Sequence, residues 1–581
     1  MIDDILERWR REAQEADHNM ERIKGTAFEK LCIAFLAHDP VMKQTYADPV
    51  PWEQWARKYG MSASEDGIDL VVTLRGETGP DGAPAYCAVQ CKFYREGATI
   101  PKSGVDSFLA ESGTGLFARR LIIDTSGKEF SKTADETLRR QIAFPVSRVT
   151  LKDLRDSPLD WNRIVSESDA RRHPPKELQP HQEAAFTATI KGLRKPGKRG
   201  KLIMACGTGK TLTSLRIAEE LVRAGGRALY LVPSLALMAQ TVREWTDNAK
   251  VPLRAFAVCS DAQVGRRGSR QDDRIDMDSL DLALPATTDA ARIAAAAPTA
   301  PDAMTVILAT YHSLPKIREA QQAHGLPDFD LAICDEAHRT AGAKGIADAE
   351  DSHFVMIHDQ DHIRADRRLY MTATPKVYAQ QARTRAGALA GTLCSMEDTE
   401  IYGPVLHEIG FGAAVERGLL SDYKVIVLTV PSNVAARAAN AAPNATLQMD
   451  DAGKMLGCLR ALAKLDQDEF PEDDRSPMQR AIAYCRDIRS SKLVEAMFST
   501  IARIDQAEFP EAHALPDLAI EARHVDGTFN TLRRTKRLDW LSAHQQEECR
   551  VLTNARCLAE GVDVPALDAI LFMQPRKSQN E

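Results

Sequence analysis

An α/β architecture is what this 581-residue sequence predicts, and two observations carry that expectation. From about residue 201 onward, short apolar runs of strand length alternate with longer amphipathic stretches of helical period. That alternation is the mark of βα units forming a parallel sheet covered on both faces. At residues 201–213, KLIMACGTGKTLT, one such run passes through a glycine-rich turn straight into a helical pattern. At about 150 residues per domain, the length allows roughly three to four domains, each with its own core.

Taken in chain order, residues 21–37 carry apolar side chains near helical spacing, and 69–74, 87–93 and 121–124 read as short strands. RRHPP at 171–175 reads as a linker, because two prolines continue neither a helix nor a central strand. Strands follow at 201–205, 228–232, 305–309, 331–334 and 369–371, with helices at 211–223 and 235–245 among them. Residues 265–274 are polar and 285–303 rich in Ala, Thr and Pro, so both read as surface insertions. A second βα region starts near Tyr423, with strands at 481–484, 551–553 and 569–573 and an acidic loop at 466–475. The expected domains are 1–165, a linker at 166–176, then 177–415 and 416–581.

Composition sets the class. Hydrophobic residues make up 44% and charged residues 27%, which excludes a mostly disordered chain. No apolar run approaches the roughly 18 residues of a membrane span; the nearest, 229–239, is broken by Pro233 and Ser234. Residues 1–16 alternate acids and Arg with apolar residues, unlike a signal or transit peptide. Eleven Cys without CxxC pairing argue against a disulfide framework or zinc ribbon and for a reducing cytoplasm. The net charge of −7 gives no hint of nucleic acid, although net charge says little about a local groove.

The chemistry begins at GTGKT. Gly207, Thr208 and Gly209 let the backbone curl so that its N–H groups face a phosphate, and the helix that follows adds its positive end. Lys210 reaches the β/γ-phosphates of ATP, and the Thr211 hydroxyl ligates Mg²⁺. The first glycine of the full phosphate-loop pattern is replaced by Met204. Residues 331–338, LAICDEAH, form an apolar strand ending in two carboxylates. Asp335 is expected to hold Mg²⁺ through water and Glu336 to deprotonate the attacking water.

The first domain has its own polar set. Asp69 lies in GIDLVV; Gln90 and Lys92 lie two apart in AVQCKF, hence on one strand face. Asp69 and the Gln90 oxygen are suited to Mg²⁺, with Lys92 positioning a water and offsetting developing charge. The alternative is a structural Asp69–Lys92 ion pair in a domain that binds DNA without cutting it.

These motifs resemble those of the superfamily 2 helicases and translocases, over about 400 residues in the right order. The resemblance implies two RecA-like lobes. It assigns Gln182 of LQPHQ to the adenine, and VPS at 232–234 and ATYH at 309–312 to a nucleic-acid strand. Thr372 and Thr374 of YMTATP would couple hydrolysis to strand binding, with His338 also in a coupling role. Gly561 and Asp563 of TNARCLAEGVDV would approach ATP. The family's Q-x-x-G-R-x-x-R arginine motif is expected after MQPRKSQNE, beyond Glu581, so the second lobe is expected to be incomplete and the chain a fragment.

The first domain resembles the PD-(D/E)xK nuclease fold, in the Mrr-like branch where Gln replaces the second acid. That resemblance adds Glu29 as an accessory metal or water ligand, and matches Asp124 and Thr125 loosely. Together the two resemblances imply an ATP-dependent motor on double-stranded DNA joined to a Mg²⁺-dependent endonuclease, as in type ISP and type III-related restriction enzymes. A methyltransferase or target-recognition partner is implied, and no membrane. A DNA-remodelling or defence-complex subunit that binds without cutting is the alternative, and an RNA helicase a weaker one.

Overall fold

The computed structural model describes residues 2–14, 19–61, 67–79, 82–141, 144–164, 173–259, 286–297, 300–344, 350–378, 392–426, 449–464, 476–508, 519–527, 529, 531–543, 548–555, 558 and 567–574. They fall into two compact units, the first ending at Ser421 and the second starting at Asp422. No helix among the described residues is long and apolar enough to cross a membrane.

The first unit opens with a five-stranded mixed sheet in the order β1 (Tyr46–Pro51), β2 (Leu70–Thr78), β3 (Pro84–Lys92), β4 (Arg119–Asp124), β5 (Val146–Val149). β1–β2 and β2–β3 pair antiparallel, and β3–β4 and β4–β5 parallel. Val71, Ala88, Ile122, Val105 and Phe108 form part of its core, with Trp55 at the centre of an aromatic group. Sequence periodicity missed β1 and β5. β1 contains Pro49 and Pro51, tolerated because it is an edge strand. β5, VSRV, carries a buried arginine.

That arginine, Arg148, explains Asp124. Its Nε donates to Asp124 Oδ2 at 2.6 Å, the two side chains being 6% and 0% exposed, and its guanidinium stacks 4.1 Å from the Phe130 ring centroid. Asp124 also accepts from the Ser126 amide. The pair clamps the ends of β4 and β5. Arg148→Met would strand a buried carboxylate and is expected to cost about 3–5 kcal/mol, read as a lower thermal midpoint; adding Asp124→Leu should recover much of that loss. Equal midpoints for Arg148→Met and the native chain would refute the clamp.

The same unit continues as an eight-stranded, wholly parallel sheet: β15 (Val405–Ile409), β6 (Arg199–Met204), β13 (Arg368–Thr372), β11 (Leu331–Cys334), β7 (Arg227–Val232), β10 (Met304–Thr310), β8 (Leu253–Val258), β9 (Ala286–Thr287). A two-stranded ribbon pairs β12 (Ala343–Lys344) with β14 (Thr392–Leu393). The central strands are buried on both faces, which is why their sequences are unbroken apolar runs. The Ala-rich stretch expected as a surface insertion instead folds. Asp289 caps the helix Ala290–Ala296, and Ala290, Ile293 and Ala297 enter the core. Alanine supplies helix propensity and fits a tight interface, so composition misled there. The expected insertion at 265–274 and acidic loop at 466–475 lie outside the described residues.

The second unit holds a parallel sheet in the order β17 (Ala519–His524), β18 (Glu548–Asn554), β16 (Arg480–Tyr484), β19 (Ala569–Phe572). Ala481, Ala483 and Val551 pack on Met455, Leu459 and Phe498 from the helices beside it.

Candidate functional site

Five motifs lie at the carboxyl ends of five neighbouring parallel strands. The glycine loop follows β6, TATP follows β13, DEAH follows β11, VPS ends β7 and ATYH ends β10. This edge is where open α/β sheets bind ligands, because helix N-termini and loop amides converge there.

Gly207 and Gly209 both have positive φ, +81° and +82°. At Gly209 the demand is doubled, since a Cβ would lie 2.0 Å from Gln182 Nε2. The helix Lys210–Leu221 starts directly after it. Lys210 Nζ donates to the Met204 carbonyl at 3.2 Å, so the lysine folds back over its own loop, and its charge acts on both Asp335 and Glu336. The Leu420 side chain rests against Gly207, a contact that sequence reasoning missed.

Gln182 is buried and engaged at both ends. Its Oε1 accepts from the Gln179 amide at 2.8 Å and its Nε2 donates to the Thr208 carbonyl at 3.2 Å. His181 Nε2 also reaches that carbonyl, at 2.9 Å. Gln182 therefore braces the phosphate loop and caps the helix Pro180–Leu193.

Asp335 is buried and fixed by the Glu336 amide at 3.0 Å and by the Tyr230 hydroxyl, which donates at 3.3 Å. Burial, then the neighbouring Glu336 charge, push its carboxyl up to about 6, against the pull of Lys210. Glu336 takes a left-handed backbone, φ +45°, which bulky residues adopt at a cost. Burial works against its charge, yet the His338 hydrogen bond and Lys210 hold it below the usual carboxylate range. His338 Nδ1 lies 3.3 Å from Glu336 Oε2 and 3.1 Å from Thr372 Oγ1. Thr372 in turn accepts from the Thr374 amide at 3.2 Å. DEAH and TATP are thus one hydrogen-bonded chain. Within ATYH, Tyr311 is core: its hydroxyl donates to the Asp335 carbonyl at 2.7 Å, leaving His312 as the more accessible member.

In the first domain, Asp69 stands immediately before β2 and its Oδ2 accepts from the Cys91 amide at 2.6 Å. Burial raises its carboxyl, opposed by that hydrogen bond and by Lys92. Burial likewise lowers Lys92, opposed by Asp69. Gln90 is 1% exposed; its Nε2 donates to the Gly67 carbonyl at 3.0 Å, while its buried Oε1 has no hydrogen-bond partner among the described residues. Gly67 makes that turn possible, because at φ +106° a Cβ would press to 2.7 Å from the Phe108 amide nitrogen. Glu29 lies on the helix Asn19–His38, and its charge and that of Asp69 both act on the half-buried Cys91 thiol.

An orphaned amide oxygen beside a half-buried carboxylate fits a hard cation, since Mg²⁺ takes one or two protein oxygens and completes its shell with water or phosphate. Among the described residues no group of three or more His, Cys, Asp or Glu gathers around a metal position. A site of one Asp and one Gln falls below that count.

In the second unit, Thr553 opens the TNARCLAEGVDV segment and is buried, its Oγ1 meeting Ser491 Oγ at 3.0 Å. Ser491 Oγ lies 2.7 Å from His524 Nδ1, and His524 Nε2 lies 2.9 Å from Asp526 Oδ2. This string ties the ends of β17 and β18 together. Gly561 and Asp563 lie outside the described residues.

Two family models match the chain: "Restriction endonuclease" over residues 37–171, and "Type III restriction enzyme, res subunit" over residues 175–377. The chain is similar to an ATP-dependent type ISP restriction-modification enzyme, LlaBIII, solved bound to DNA, with 32% identity and a TM-score of 0.78. That match covers 96% of this chain and 35% of LlaBIII. It is also 26% identical over 405 residues to the probable helicase A859L of African swine fever virus (strain Badajoz 1971 Vero-adapted), covering 69% of this chain and 38% of the viral protein. The chain therefore spans little more than a third of the length of either relative.

Proposed function

We propose that this chain, which joins a restriction-endonuclease domain to a helicase-type ATPase domain in the manner of type ISP restriction enzymes, hydrolyses ATP to move on double-stranded DNA and cuts that DNA at its N-terminal site. The observation that carries the motor reading is the convergence of Lys210, Asp335, Glu336, His338 and Thr372 on one edge of a parallel sheet. Gly207, Thr208 and Gly209 offer backbone amides to the phosphates, Lys210 offsets their charge, and Gln182 supports the loop from the base side. Thr211 and Asp335 would hold the magnesium of Mg·ATP. Glu336, ionised and aimed by His338, takes the proton of the attacking water, and His338 relays the state of Glu336 to Thr372 and Thr374. Gly561 and Asp563 are assigned to the same nucleotide on their motif alone.

In the nuclease, Asp69 and the Gln90 oxygen would hold Mg²⁺, with Glu29 as an accessory ligand. The bound ion would supply charge stabilisation for the phosphodiester and a more acidic water. Lys92 positions that water and neutralises the developing negative charge. We place the protein in the reducing cytoplasm, in keeping with the unbridged cysteines among the described residues. Methylation and target recognition are assigned to parts outside this chain.

Supercoiled-plasmid cleavage by the full-length protein tests the reading. Linear product is expected only with both Mg²⁺ and ATP, and Lys210→Ala should abolish it together with DNA-stimulated ATPase. ATPase without any cutting by the native protein would favour the remodelling subunit. Stimulation by RNA but not duplex DNA would favour an RNA helicase.

A further inference from the structure

We propose that Arg243 is a positioning residue that docks the nuclease domain on the first motor lobe, coupling DNA cutting to the ATP site through the helix Leu235–Asn248. The inference rests on the function proposed above and assigns a role to a residue outside both sites.

The helix has two working faces. Arg243 and Trp245 are two residues apart, about 200° around a helix, so they point to nearly opposite sides. Trp245 faces the nucleotide site. It is buried, its Nε1 donates to the Thr211 carbonyl at 3.2 Å, and its ring stands edge-on to Tyr230 with centroids 5.0 Å apart. Tyr230 donates to Asp335 at 3.3 Å. The helix also starts at the VPS motif, where Ser234 accepts from the Leu237 amide. It therefore touches the phosphate-loop helix, the DEAH carboxylate through one tyrosine, and the segment expected to meet a nucleic-acid strand.

Arg243 faces the nuclease domain. Its Nη2 hydrogen-bonds Asp153 Oδ1 and its Nη1 lies 3.4 Å from Asp156 Oδ2. The charge of buried Asp39 also acts on it. These acids are structural anchors of the nuclease. Asp153 Oδ2 accepts from the Thr150 amide at 2.7 Å, closing the capping box of the helix Leu151–Asp156, which leaves directly from β5. β5 pairs with β4, and β4 with β3, the strand of Gln90 and Lys92. Asp39 accepts from the Val41 and Met42 amides and from Ser157, which follows the same helix. A planar guanidinium can serve two carboxylates at once, which a lysine cannot do with the same geometry. Without it, Asp153 and the buried Asp39 would lose the cation that reaches them from the motor lobe, and Asp156 would keep only Lys152, at 3.1 Å. The junction also holds Gln44, which accepts from the Ala255 amide of β8 at 3.3 Å, and the Arg254 guanidinium, which lies against Gly76 of β2.

The test uses the full-length protein, measuring ATP hydrolysed and double-strand cuts in one reaction, with hydrogen exchange as a readout that needs no catalysis. Arg243→Ala is expected to keep DNA-stimulated ATPase within about twofold while cuts per ATP fall roughly 5- to 30-fold, within the usual span of coupling between sites. Arg243→Lys should fall between. A non-hydrolysable ATP analogue should slow exchange across the helix Leu151–Asp156 in the native protein and not in Arg243→Ala. Unchanged cuts per ATP in Arg243→Ala, or cutting and ATPase lost in equal proportion, would overturn the proposal. Were the native protein to cut no DNA, the nuclease reading would fail by itself; absence of an exchange response at that helix would then overturn the coupling separately.

Discussion

Glu336→Gln is expected to lower DNA-stimulated ATP hydrolysis about 10²- to 10⁴-fold while nucleotide binding stays within a few-fold of native. Glutamine keeps the volume and one acceptor oxygen but cannot take a proton from water. The native carboxylate is ionised and held: burial opposes its charge, and His338 at 3.3 Å with Lys210 outweighs that opposition. Its left-handed backbone shows that the loop tolerates strain to present it. Binding depends on other groups, the loop amides and Lys210, which the substitution leaves in place. Radiolabelled phosphate release, beside equilibrium binding of a fluorescent ATP analogue, separates the two effects. A glutamine variant retaining a tenth of native hydrolysis would remove Glu336 from the role of base. Parallel loss of binding would mean that its charge holds the loop together instead.

Such a sharp expectation is available because the chemistry of the helicase-type ATPase domain is written in contiguous residues. GTGKT, DEAH and TATP each occupy one loop, so the strand before and the helix after were legible as periodic runs around them. The strands that periodicity missed share a physical reason. β1 carries two prolines, β5 a buried arginine, β8 Arg254, β15 His407 and Glu408, and β17 Glu521, Arg523 and His524. All but β5 lie partly open to solvent along their length, where alternation and apolar content fade. β5 is held by an ion pair with Asp124, whose partner lies 24 residues away.

The supporting groups of the site were hidden for a related reason. Tyr230 reaches Asp335 across 105 residues of sequence, and Trp245 reaches Thr211 across 34. Nothing in the local spacing of either aromatic residue distinguishes it from an ordinary core side chain. Gln182 shows the converse. Its motif marked it as important, yet spacing alone gave no sign that its amide would be spent on Gln179 and Thr208. Short motifs announce the groups that touch substrate, whereas the groups that hold those residues in place come from long-range contacts.

The nuclease half depends on such a contact, and there the second large effect is expected. Lys92→Ala should reduce ATP-dependent plasmid cutting by about 10²- to 10³-fold, the usual cost of removing one preorganised stabiliser of developing charge. DNA-stimulated ATPase should change by no more than twofold. Two opposed costs meet here: burial raises Asp69 and lowers Lys92, and each is relieved by the other. A mere structural ion pair would close that gap directly, yet no salt bridge joins the two among the described residues, and Asp69 instead takes the Cys91 amide at 2.6 Å. Beside them the Gln90 oxygen is buried without a partner among the described residues, a costly arrangement for a structural glutamine and a natural one for a residue that meets a cation. Gln90→Leu removes that cost together with the acceptor. It also gives up the hydrogen bond to the Gly67 carbonyl, so the domain's stability should stay near native while cleavage demands a higher Mg²⁺ concentration. Gln90→Glu restores an anionic ligand and should shift the Mg²⁺ requirement the other way. Titrating cleavage against Mg²⁺ for these variants distinguishes a catalytic centre from a DNA-binding domain with a buried polar cluster. If Lys92→Ala cuts like the native protein and the two Gln90 variants share one Mg²⁺ profile, the cleavage centre must lie elsewhere.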